Sequence, residues 1–150
     1  MTHYDTVNSP GRIFIDHGQI TISIKDKSMV IYHCRGPFNL EAFKTMEGIR
    51  SKVIKELGEE IKNWVDVIIY EESCLATTEM LAELASYQKR LKSSNISPLT
   101  SAFVFKKDVE GSQIMPDEYK KCYDSAKVSF RAFDNEPDAM EYVRTYLPKG

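Results

Sequence analysis

Residues 65–80, VDVIIYEESCLATTEM, hold the chain's densest set of side chains able to do chemistry. Glu71 and Glu72 are of the type that serves general acid and base catalysis, Cys74 is a potential nucleophile, and Ser73, Thr77 and Thr78 offer hydroxyls. Each group also has a simpler use. Consecutive residues at a strand end tend to point apart, so the two glutamates read as a solvated loop rather than a catalytic dyad. A helix start lowers a thiol pKa, but the carboxylates beside Cys74 raise it and no histidine is near in sequence, so the thiol reads as an inert small hydrophobe. His33 and Cys34 are neighbours on a strand pattern and face opposite sides, which keeps them from converging on one metal; Cys34 reads as core. A threonine before a helix accepts a hydrogen bond from an otherwise unpaired backbone N–H, so Thr77 and Thr78 are caps before they are anything else.

No GxSxG, HExxH, GxGxxG or GxxxxGK[ST] spacing occurs, and this points away from an enzyme and toward a module with no catalytic residue and no cofactor. Cys34, Cys74 and Cys122 share no CxxC spacing, so neither a disulfide framework nor a thiolate metal site is expected, and reduced thiols in the cytoplasm fit best. The net charge of -2 mixes 20 basic with 22 acidic side chains and leaves no Lys/Arg cluster larger than a pair, which argues against a nucleic-acid partner. No apolar run approaches the ~18 residues of a membrane span, so no integral membrane segment is expected. A single domain spanning residues 1–150 can bury about 68–70% of the surface its unfolded chain exposes, enough for a core without metal or disulfide.

Positioning these side chains is the task of alternating strands and helices. Ile13 and Ile15, then Ile20, Ile22 and Ile24, alternate with polar residues and predict a hairpin turning at Asp16-His17-Gly18. A second turn at residues 25–28 leads into a strand that Gly36-Pro37 ends. Asn39 caps a helix with Glu41 in its first turn, and Leu40, Phe43, Met46, Ile49, Val53, Leu57, Ile61 and Trp64 form its apolar stripe. A strand over 65–70, a helix carrying Met80, Leu84, Tyr87 and Leu91, a strand over 102–105, a helix near 116–123 and a strand over 128–133 follow. The last helix has Asn135 as cap, Pro137 in its first turn, and Ala139, Met140, Val143, Tyr146 and Leu147 facing inward. The uncharged runs VIIY and AFVF suit parallel strands covered on both faces. One α/β domain with a mixed sheet is expected: an antiparallel hairpin, then helices alternating with mostly parallel strands. Residues 107–113, KDVEGSQ, read as a mobile surface loop.

The hairpin, the junction Arg35-Gly36-Pro37-Phe38-Asn39, the segment TEMLAEL at 78–84, and the closing Val128-Ser129-Phe130 strand with the helix after it together resemble the SpoIIAA-like family of small bacterial proteins. That family is related in fold to STAS domains and resembles the CRAL-TRIO lipid-binding fold. The resemblance implies a regulatory hydroxyl at the start of the helix after the central strand, where Thr77 and Thr78 stand here. The Asp-Ser pair of STAS regulators and the glycine after it are missing. A phosphate there would meet the positive end of the helix dipole and the opposing charges of Glu71, Glu72 and Glu79.

The expected function is therefore that of a non-catalytic interaction module, with Ser73, Thr77 and Thr78 as polar contacts to a protein partner. Eight tyrosines and one tryptophan could furnish an aromatic surface for such a partner or for a homodimer. The alternative is a small apolar ligand such as a lipid or fatty acid. It would be held by Phe38, Phe43, Met80 and Leu84 on helices that splay at the carboxyl ends of the strands.

Overall fold

The computed structural model describes residues 2–5 (backbone only), 18–57 (without the side chains of 56 and 57) and 63–148. Among the described residues are a six-stranded sheet and four helices. The order is β1 (Thr2–Asp5), β2 (Gln19–Lys25), β3 (Met29–Arg35), α1 (Leu40–Leu57), β4 (Val65–Glu71), α2 (Thr78–Ser93), β5 (Ser101–Phe105), α3 (Met115–Ser125), β6 (Phe130–Phe133) and α4 (Glu136–Arg144). The strands lie side by side in chain order. β1, β2 and β3 pair antiparallel, and β3 to β6 pair parallel. The α/β class and mixed sheet read from the sequence hold.

Strand β1 was not anticipated: it lies at residues 2–5 and pairs with β2. The strand expected at Ile13 and Ile15, and its turn through Asp16 and His17, fall outside the described residues. The β2–β3 hairpin turns through Asp26 and Lys27, both at positive φ (55° and 57°), the backbone hand that suits a tight turn between twisted strands.

Three consecutive parallel crossovers each step one strand in the same direction. Right-handed connection then places α1, α2 and α3 on one face of the sheet. Side chains alternate accordingly. Ile22, Val30, Tyr32, Ile68, Tyr70 and Phe103 join the core beneath these helices, while Met29, Ile31, Val65, Val67, Ala102 and Val104 form a second core with Ala139 and Val143 of α4.

The helix caps behave as read. Asn39 Oδ1 accepts from the backbone N–H of Ala42 at 2.9 Å, and Asn135 Oδ1 accepts from that of Asp138 at 2.9 Å with Pro137 in the first turn. Two stripe assignments change. Trp64 is buried but stands immediately before β4 rather than on α1, and Tyr146 lies beyond the end of α4, exposed. The chain has left the helix by each position, so the three-and-four spacing no longer sets the facing. Leu57 ends the described part of α1, and Ile61 lies outside the described residues. No described helix is long and apolar enough to cross a membrane.

Candidate functional site

The junctions after β3, β4 and β5 are laced to one another. The backbone N–H of Gly36 donates to the carbonyl of Ser73 (3.0 Å), that of Phe38 to Leu75 (2.8 Å) and that of Thr77 to Phe38 (3.1 Å). On the other side Cys74 N–H donates to the Glu110 carbonyl (2.9 Å) and Glu110 N–H to that of Glu72 (2.9 Å). Residues 107–113 are thus fastened rather than loose, with Val109 buried and Gly111 at a φ of 87° that brings its backbone against Leu75, Met115 and Cys74. These five backbone bonds pair groups that leave the strand ladders with partners on a neighbouring junction, as a covered segment requires.

The predicted polar residues belong to this seam. Ser73 is buried, donates to Glu110 Oε1 at 2.9 Å and accepts from the backbone N–H of Leu75 at 3.2 Å. Thr77 is the N-cap of α2, its hydroxyl oxygen accepting from Met80 N–H at 3.1 Å, and Thr78 is exposed in the first turn. Glu71 and Glu72 do not point apart: Arg35 reaches Glu71 through Nη2 at 3.4 Å and Glu72 through Nε at 3.5 Å. A φ of 63° at Glu72 turns the chain so that both carboxylates reach one guanidinium. These exposed pairs contribute little to stability.

All three cysteines are free and buried. Burial pushes the Cys74 thiol up to about 11, and its Sγ–H donates to the Glu110 carbonyl at 3.3 Å. The Cys122 thiol is likewise pushed up to about 11 by burial, and that of Cys34 is raised too. None is ionised at neutral pH, so none has the nucleophilic form. His33 is exposed while Cys34 is buried on the opposite side of β3, as their alternation required.

Beneath the seam, between the sheet and helices α1 and α2, lies a cavity of about 60 Å³. Phe38, Phe43, Met80 and Leu84 all line it, together with Ile68, Tyr70 and Phe103 of the sheet. Phe43 and Met46 reach it from α1, Met80, Leu84 and Gln88 from α2, and Phe38 from the junction before α1, where it bridges to Ala76. The void is therefore under the helices rather than in an open crevice at the strand ends. The strands follow one another in order, so no reversal of strand order opens such a crevice. Met46 is half-buried and every other lining residue is buried.

The cavity has a polar floor. Arg50 and Asp66, 3% and 4% exposed, are both lining residues, with Nη2 of Arg50 3.6 Å from Oδ2 of Asp66. Arg50 Nε donates to the Tyr32 hydroxyl at 2.8 Å and Nη1 to that of Tyr87 at 2.9 Å. Trp64 Nε1–H donates to the other oxygen of Asp66 at 3.0 Å. Burial, opposed by Arg50 and the Trp64 hydrogen bond, pushes the Asp66 carboxyl up to about 6. Burial also raises both tyrosine hydroxyls, which stay protonated and neutral. A charged pair out of water persists where its remaining hydrogen-bonding groups find partners, and here two phenols and an indole supply them.

Sequence reasoning passed over Arg50, Asp66 and Gln88. A signal was present: Phe43, Met46, Arg50 and Val53 are spaced three, four and three, which places the arginine on the apolar stripe, and Asp66 interrupts the otherwise uncharged run at 65–70. Chemically the floor can orient a polar group of a guest while the walls contact an apolar remainder. No family model matches the chain, and no curated protein or solved structure matches it.

Proposed function

We propose that the chain is a non-catalytic binding module that takes a compact, mostly apolar molecule into the cavity between α1, α2 and the sheet. One observation carries the reading: Phe38, Phe43, Met80 and Leu84, from three separate segments, meet around a void floored by a buried arginine. An apolar enclosure with a few convergent polar groups is the usual form of a small-molecule site. The void of about 60 Å³ sets the scale of the guest. Typical ligand pockets measure roughly 300–1,000 Å³, so a long fatty acid needs α1 to move outward whereas a compact molecule does not. The fold relationship to SpoIIAA-like, STAS and CRAL-TRIO proteins is the accompanying proposal, supported by the element order and the sheet.

Native mass spectrometry of freshly purified protein, followed by the same sample denatured, tests this reading. The expected result is a small mass excess that vanishes on denaturation. An excess that survives denaturation would instead mark a covalent group and direct attention to Thr77 and Thr78, whose hydroxyls lie outside the cavity lining.

A protein partner or a homodimer is the second reading, and exposed apolar side chains favour it. Ile96, Leu99 and Tyr146 are exposed. Ile96 and Leu99 precede β5, and Tyr146 reaches the same end through the chain of hydroxyls that joins it to Tyr142 and Thr100. Light scattering over a range of protein concentrations tests this: a monomer throughout would count against the homodimer.

A further inference from the structure

Among the described residues that line the cavity, one carries a buried side-chain atom left without a hydrogen-bond partner. Gln88, on α2, is 5% exposed, lines the cavity, and its Oε1 makes no hydrogen bond. A buried acceptor without a donor is costly, and such groups in folded proteins mark either strain or a site made for something else. The neighbouring floor has the complementary lack. The Tyr32 and Tyr87 hydroxyls each accept from Arg50, and the described contacts give neither hydroxyl hydrogen an acceptor. Tyr32, Tyr87 and Gln88, which carry these groups, line the same void.

We infer that the cavity is a site for a small neutral molecule bearing a hydroxyl group, an alcohol rather than an acid, with Gln88 Oε1 as acceptor of the guest's O–H. The inference rests on the binding reading above and names its ligand class. A hydroxyl oxygen accepts from a phenolic or guanidinium donor while its hydrogen goes to the amide oxygen, so one group answers both deficits. A carboxylate answers only one. It has no hydrogen for Gln88, and it brings a second negative charge to a guanidinium that already faces Asp66 at 3.6 Å. An apolar guest without a polar group leaves the amide oxygen unpaired. Water meets the hydrogen-bonding requirement but leaves the walls of Phe43, Met80 and Leu84 uncontacted. The volume, about twice the ~30 Å³ that one water occupies in the liquid, fits an alcohol of about one or two carbons.

Methyl NMR of the full chain with labelled methionines reads occupancy directly. Met46 and Met80 line the cavity, while Met29 and Met140 belong to the core on the opposite face and serve as internal controls. The probes are xenon, ethanol and acetate at neutral pH, applied to the parent and to Gln88→Leu, a variant that replaces the amide with a slightly shorter apolar side chain. Xenon and ethanol are expected to shift Met46 and Met80 and to spare Met29 and Met140, with acetate silent. Gln88→Leu is expected to weaken ethanol by roughly three- to tenfold, the loss of one neutral hydrogen bond, and to leave the xenon response in place. Acetate binding as tightly as ethanol, or ethanol indifferent to Gln88→Leu, would overturn the hydroxyl assignment. So would a response to xenon with none to ethanol, the cavity reading standing in each case. If no probe, xenon included, moves Met46 or Met80, the cavity reading fails with it.

Discussion

Arg50 of α1 and Asp66 of β4 face each other with Nη2 and Oδ2 3.6 Å apart, both almost wholly out of water, while two tyrosines and a tryptophan take up their other polar atoms. The pair fastens α1 to the centre of the sheet. Removing one partner strands the other charge, which costs about 3–5 kcal/mol. Asp66→Ala should lose stability of that order in urea unfolding. Replacing both, as Arg50→Met with Asp66→Leu, should cost clearly less than the two single changes summed. Additive losses would show that the two charges do not act as a pair.

Proton linkage gives this pair a pH signature. The Asp66 carboxyl is pushed up to about 6 in the folded protein, against about 4 for an unfolded aspartate, so between these values the folded state holds more protons. Its contribution to stability is therefore fully present below about pH 4 and is lost as pH rises through about 6. Unfolding free energies of the parent minus those of Asp66→Asn should fall across that window. A difference that is flat from pH 4 to pH 6, or rises, would contradict the burial of a titrating carboxyl here.

At the start of α2 the two threonines should separate cleanly. Thr77→Ala removes the oxygen that receives Met80 N–H and should cost about 0.5–2 kcal/mol, whereas Thr78→Ala, exposed in the first turn, should change stability by less than about 0.5 kcal/mol. Chemical denaturation of both variants measures this.

Two glycines make opposite predictions. A Cβ at Gly36 would lie 2.4 Å from the Ser73 carbonyl oxygen and 2.7 Å from the Phe38 ring, so Gly36→Ala must push the β3 and β4 junctions apart and should cost about 1–3 kcal/mol or more. Gly48 sits exposed inside α1 with no heavy atom within 4 Å of such a Cβ. Gly48→Ala should therefore stabilise the protein by about 0.5–1 kcal/mol, through the unfolded chain's lost freedom and better helix propensity. Thermal midpoints moving in opposite directions would bear out both.

The order of elements from β2 onward, the caps at Asn39 and Asn135, the inward faces of α1 and α2 and the burial of β4 and β5 were legible in the sequence. These properties depend on the residue and its near neighbours: a period of two or of about 3.6 states which way a side chain faces relative to its own element. Phe38 stands in the junction before α1, where no period applies, but the wall residues Phe43, Met80 and Leu84 could be named on that basis. What they surround could not. That Arg50 meets Tyr32, Asp66 and Tyr87, that Gln88 is left without a donor, and that the three strand ends are laced across Gly36, Ser73 and Glu110 follow from segments brought together from distant parts of the chain. Local pattern shows that a charged residue occupies an apolar stripe. Only the packing of α1 and α2 onto the sheet decides which groups answer it and how much space remains between them.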